Sequence, residues 1–277
     1  MLYRTNWETR ETYSKVTARN SFWYQIALAI AAIFGGVLFA TWNGLPYVLR
    51  ALAGFAAACT ALFFVEPSID SMKFTLKNYL AQMRLGVREA FKSKEATRMS
   101  LYYIAVAGIT WTNNLYFFDY IMVELGFADA LRGAIMGGIR LLNVTVLISF
   151  LKNEHIFTRV RSIYFFPVMM ILCFFPGVLF RGWWAIPLVA GAVMAGTGRW
   201  IILTRYTNEF FDSKYRATAI SALSMIVGII YVGITSLSGP IIAAYGVRTV
   251  YTILGVLSLV TVLPLSVVLV RNHKDVS

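Results

Sequence analysis

Apolar residues run through this chain in long blocks separated by short polar stretches. Eight blocks stand out, at about 21–42, 46–65, 99–121, 132–151, 162–180, 183–203, 217–238 and 249–270. Each approaches or exceeds the ~20 residues that a helix needs to cross ~30 Å of hydrocarbon at ~1.5 Å per residue. The blocks do not alternate apolar with polar positions, as strands of a membrane barrel do. A chain in lipid must also satisfy its backbone groups internally. The pattern therefore predicts an all-α integral membrane fold of about eight transmembrane helices. The stretch 66–98 has a different rhythm. Leu76, Leu80, Met83, Val87 and Phe91 recur every three or four residues, with Lys77, Arg84, Arg88 and Lys92 largely elsewhere around the helix. That pattern predicts an amphipathic helix lying on the cytoplasmic leaflet. It divides the chain into a tail plus two helices (1–66), a connector (67–98) and a six-helix carboxy-terminal bundle (99–277).

Charge sets the orientation. Basic residues crowd the tail (Arg4, Arg10, Lys15, Arg19), the connector from Lys73 to Arg98, and the later loops around Lys152, Arg159, Arg161, Arg205, Lys214, Arg216, Arg271 and Lys274. The opposite loops clearly hold only Arg181 and Arg248. Positive loops stay inside, so both termini are expected in the cytoplasm and the location is the plasma (inner) membrane, multi-pass. Aromatics bracket the blocks: Phe22, Trp23, Tyr24 and Trp42 on the first, Tyr102 and Tyr103 on the third, Trp183 and Trp184 on the sixth. These are interfacial positions. Small residues recur at helix-packing spacing: Ala27, Ala31 and Gly35; Ala53, Ala57 and Ala61; Gly133 and Gly137; Ala192 and Gly196. They predict close helix contacts in a compact bundle. The first block is too long for the core of a signal peptide and is expected to be retained.

Composition narrows the class. The 277 residues are 58% hydrophobic and 14% charged, where soluble domains run at about 45–50% and about 25%. A soluble fold, a disordered chain and a disulfide scaffold are excluded on that ground. The net charge of +12 reflects the cytoplasmic loops; no basic module with stacking aromatics points to nucleic acid. Cys59 and Cys173 lie in apolar runs, His155 and His273 in polar ones, and neither pair has metal-ligand spacing. No acid–base pair, nucleophile elbow, phosphate loop or metal motif occurs, so neither an enzyme nor a cofactor is expected.

Function is sought among polar residues within the blocks, because buried polar groups are expensive in lipid. Arg140 lies about 8 residues from the outer end of its block, roughly 12 Å deep, with Asn143 one turn on. It is read either as a cavity cation for an anionic solute group or as the partner of Asp119. Asp119 is either a solvated carboxylate or a proton site. Asn113 and Asn114, near Tyr116, either bond to a solute or hydrogen-bond between helices. Arg199 comes after Gly196 and Gly198 and either snorkels to the interface or faces a cavity.

The stretch NEFFDSKYRATAISALS, Asn208 to Ser224, resembles the junction of the tenth and eleventh helices of the major facilitator superfamily of secondary transporters. Arg216, Ala217, Thr218 and Ser221 carry the match. SGPIIAAYGVRTVYTILG is similar to that family's last junction through Gly239, Gly246 and Gly255, with Ala243 or Ala244 where many members carry Asp. LYRTNWETRETYSKVTARNSFW resembles the loop after the fourth helix, and Glu66-Pro67 the end of the sixth. KNEHIFTRVRS keeps positive charge without the family's Gly-x-x-x-Asp-Arg-x-Gly-Arg pattern.

The resemblance covers the family's helices five to twelve, its carboxy-terminal two thirds. It implies a secondary transporter of a small solute, proton-coupled, working by alternating access with the solute near the midplane. The third and sixth blocks become cavity-lining helices. Asn113, Asn114, Tyr116 and Arg199 become solute-site residues, with Arg140 secondary. The expected partners are the bilayer, the solute and a separate fragment supplying four further helices. The competing expectation is a non-transporting membrane fragment or a subunit that assembles with a partner.

Overall fold

The computed structural model describes residues 5–63, 75–152 and 158–274. Glu66, Pro67 and the part of the connector up to residue 74 lie outside the described residues, as do residues 153–157 of the KNEHIFTRVRS loop. Twelve α-helices are described: α1 (Thr5–Thr41), α2 (Leu45–Ala61), α3 (Leu76–Ala90), α4 (Lys94–Thr112), α5 (Phe118–Glu124), α6 (Asp129–Lys152), α7 (Arg159–Phe174), α8 (Ala185–Gly198), α9 (Thr204–Asn208), α10 (Arg216–Tyr245), α11 (Val247–Leu257) and α12 (Leu263–Lys274). Among the described residues there is no strand.

Among the described residues, each of the eight apolar blocks lies mainly on helix. Among the described residues, four helical runs are long and apolar enough to cross a membrane: Phe22–Thr41, Arg159–Leu179, Arg216–Tyr245 and Val247–Arg271. α2 is apolar but has only 17 residues. α4 opens on a charged turn, and α6 carries Asp129, Arg132, Arg140 and Lys152 along its length. Local chemistry explains where several helices start. The Thr75, Ser93 and Thr158 side chains accept the backbone N–H groups of Asn78, Ala96 and Arg161, satisfying donors that a first helical turn leaves open.

The chain forms two compact units. One joins Met1–Val65 with Phe127–Ser149; the other joins Glu66–Gly126 with Phe150–Ser277. This grouping sets α6 beside α1, where the sequence division places it in the carboxy-terminal bundle. The reason is a bare seam between the two helices. A Cβ on Gly36 would stand 2.8 Å from the Asp129 carbonyl oxygen and 3.1 Å from the Gly133 Cα. One on Gly133 would strike the Ala32 carbonyl, and one on Gly137 would lie 2.9 Å from that of Ala29. Glycine lets the two backbones touch. Gly133 and Gly137 act as the spacing predicts. On α1 the contact uses Ala29, Ala32, Ile33 and Gly36, because Gly35 meets open space. None of the residues of α2 is buried, so Ala53, Ala57 and Ala61 form no packing face among the described residues.

The second unit buries a core of Met99, Tyr102, Tyr103, Phe117, Phe118, Phe166, Phe174 and Tyr251. Trp183 and Trp184 stay exposed, as interfacial rings do. Tyr102 and Tyr103 do not: both are fully buried, and the Tyr102 hydroxyl donates to the Ile163 carbonyl at 2.6 Å. Each ring offers a hydroxyl that a neighbouring helix engages, so the pair turns inward.

Candidate functional site

Among the described residues of the second unit, three helical runs contain a π-helical turn: Asn113–Phe117 between α4 and α5, Arg199–Leu203 between α8 and α9, and Ser258–Val262 between α11 and α12. Such a turn inserts one residue into the helix, rotates the facing of every later side chain and often marks a functional site. Two of the three begin at residues singled out by polarity alone, Asn113 and Arg199. The third begins at Ser258, whose buried hydroxyl donates to the Leu254 carbonyl. Serine bonding back to the preceding turn loosens a helix; that signal was available in the sequence and points to no solute by itself.

At the first turn two asparagines close a chain of hydrogen bonds. The Tyr251 hydroxyl donates to Asn113 Oδ1 at 2.6 Å. Asn113 Nδ2 donates to Asn114 Oδ1 at 2.9 Å, and Asn114 Nδ2 reaches the Val193 carbonyl at 3.4 Å. The chain ties α4, α8 and α11 together. Gly196 makes room for it: a Cβ there would collide with the Asn114 amide. Tyr116 comes next, half-buried, its hydroxyl donating to that of Tyr120 at 3.3 Å. Asp119 is exposed.

Arg199 opens the second turn and is only 2% exposed. Its Nη1 donates to the Tyr103 hydroxyl at 2.9 Å, and its guanidinium carbon stands 5.4 Å from the centre of that ring. Snorkelling is therefore corrected: the side chain turns into the bundle. A buried arginine is retained only where hydrogen bonds and an aromatic ring replace its hydration. In the other unit, α6 carries Arg140, half-buried, and Asn143, buried.

The residues from Asn208 to Gly246 hold structural positions around α10. Thr218 lies against α3, where a Cβ on Gly86 would stand 2.5 Å from the Thr218 carbonyl oxygen. Arg216 Nη2 reaches the Phe211 carbonyl at 3.5 Å, and Asn208 accepts the Phe211 N–H through its backbone oxygen. Gly246 takes a φ of +79°, a backbone conformation that favours glycine. Ala217, Ser221 and Gly239 are exposed.

Two carboxylates missed in the sequence hold the ends of α10. Glu89, at the end of α3, accepts the Asp212 N–H at 2.6 Å and the Lys92 ammonium at 2.8 Å, and Lys92 also reaches Asp212 at 2.8 Å. The Asp212 and then the Glu89 carboxylate raise the Lys92 ammonium above its ordinary value of 10.5. Glu124, at the end of α5, accepts the Val247 N–H at 2.6 Å and pairs with Arg248 at 3.0 Å. The backbone partners, Asp212 and Val247, each lie 123 residues on in sequence, beyond the reach of any local pattern. Among the described residues no group of three or more His, Cys, Asp or Glu side chains converges to hold a metal ion. No known family model matches the chain, and no curated protein matches it.

Proposed function

We propose that the chain is a multi-pass protein of the plasma membrane, with eight helical spans and both termini in the cytoplasm. We read it as a secondary active transporter of the major facilitator kind that moves a small solute by alternating access. The observation that carries this reading is Arg199, a buried arginine at the first residue of a π turn. An ionisable residue within a span is costly and is retained for a pathway or site, and irregular helix turns are where transporters build such sites. Arg199 and Tyr116 then meet the solute, Asp119 is the proton site, and Arg140 with Asn143 forms a polar pair on α6 of the other unit. Asn113 and Asn114 hold the adjoining turn in shape. The resemblance of residues 208–224 and 238–255 to major facilitator junctions supports the same reading.

The test is flux. The full chain is reconstituted in vesicles and offered a panel of labelled small solutes under an imposed proton gradient. One solute should accumulate, and Arg199→Gln should reduce its rate by about tenfold to a hundredfold, the worth of a hydrogen bond to a charged group. Absence of flux for every solute, with the chain correctly inserted, would sink the reading.

One observation favours a second reading, a non-transporting subunit that assembles with a partner. The Asn113–Asn114 amides spend their hydrogen bonds on Tyr251 and Val193, which knits helices together. That reading expects no flux from the chain alone and a stoichiometric membrane partner on mild solubilisation.

A further inference from the structure

Helix α3 uses one side to pack and leaves another uncovered. Gly86, Glu89 and Ala90 are buried, on the side where Gly86 meets Thr218 of α10. Away from that side run two parallel stripes. Leu76, Leu80 and Val87 form an apolar one, within about 40° of rotation at 3.6 residues per turn. They are 69%, 54% and 42% exposed. Lys77, Arg84 and Arg88 form a basic one beside it, also within about 40°. All three are exposed, and none enters an ion pair among the described residues.

We propose that this face of α3 docks on an anionic phospholipid bilayer. The apolar stripe enters the acyl boundary, and Lys77, Arg84 and Arg88 hold lipid phosphates. Three features commit the face to lipid. Apolar and basic stripes lie side by side, the arrangement that suits a helix in the plane of an interface. The charge is complementary to acidic headgroups, whose pull on each nearby Lys or Arg exceeds thermal energy and adds over the three residues. The helix is also tethered to the membrane, since Ser93 caps α4 three residues past its end and the third apolar block begins at about residue 99. Tethering keeps the local concentration of bilayer high. The proposal rests on the membrane placement proposed for the whole chain.

The full chain is reconstituted in vesicles of phosphatidylcholine alone or of phosphatidylcholine mixed with phosphatidylglycerol, and amide exchange is measured over residues 76–88. Exchange should be about tenfold slower in the anionic vesicles, with the difference shrinking at high salt. The combined variant Lys77→Gln, Arg84→Gln, Arg88→Gln should abolish it, while Lys94→Gln leaves it in place. Unchanged exchange at Asp212 in each variant verifies that the packed side of α3 stays folded. Equal rates in the two vesicle types overturn the proposal, as does a difference that survives the triple variant. Protection appearing only when an acidic peptide is added assigns the face to a protein and overturns it too. Release of the chain by alkaline carbonate refutes the membrane placement instead.

Discussion

The two ends of α10 are held by the same device built from different parts. At the Arg216 end, Glu89 reaches across from α3 to the Asp212 N–H, and Lys92 lies between the two carboxylates. At the Tyr245 end, Glu124 reaches from α5 to the Val247 N–H and pairs with Arg248. The ends are about 45 Å apart along a 30-residue helix at 1.5 Å per residue. The first clasp places a nearly buried carboxylate, Glu89 at 8% exposure, under an exposed lysine. The second needs a glycine: Gly246 turns the chain at a positive φ and leaves room for the Glu124 oxygens, which a Cβ would approach to 2.9 Å. One end therefore depends on a charge network and the other on backbone shape. The difference teaches that a long membrane helix can be anchored at its mouths by hydrogen bonds to peptide N–H groups, with the charged partners tuning each anchor.

Breaking the backbone element should have the largest effect. Gly246→Ala forces a side chain into a φ of +79° and against Glu124, so a loss of about 3 kcal/mol is expected from a conformation essentially reserved for glycine. Thermal unfolding of the purified chain in detergent reads it, and a loss near zero would mean that the turn relaxes. Next comes Glu89→Ala. It strands the Asp212 N–H and removes one partner of Lys92, for about 2 kcal/mol. Glu89→Gln keeps an acceptor and should recover part of that; equal losses would show that charge, not the acceptor, matters. Arg248→Gln should cost less, about 1 kcal/mol or below, because the pair is partly exposed and Val247 keeps its acceptor. A larger loss than for Glu89→Ala would reverse the ranking of the two ends.

Helix positions were legible because period and block length speak directly about helices in lipid. Thr75, Ser93 and Thr158 are residue types that cap helices, but the block pattern did not single them out. Polarity within a block located Asn113 and Arg199 but could not say which way they turn. A π turn adds one residue without altering composition, and the inward facing of Arg199 depends on Tyr103, which sits 96 positions earlier. Glu89 and Glu124 were invisible for the same reason: their backbone partners lie 123 residues on. A carboxylate at a helix end looks solvated until the loop it caps is known. The glycine seam was half legible, because Gly133 and Gly137 announce a packing face while the partner face on α1 falls one position from the expected stripe.

The smallest effect probes the clasp at the Arg216 end by titration. Lys92 is held above 10.5 by Asp212 first and Glu89 second. A base whose proton is held more tightly in the folded state stabilises that state while it is protonated. Its contribution is full below pH 10.5 and fades as pH rises through the higher folded value. Melting curves of the natural chain and of Lys92→Met should therefore differ by a small amount at neutral pH, and the gap should close above pH 10.5. Salt should shrink the Lys92 gap at neutral pH as well, because that ammonium is exposed. A Lys92 gap that stays constant through the alkaline range would show that its charge contributes nothing, leaving the Arg216 end held by the Glu89 carboxylate and the Asp212 N–H alone.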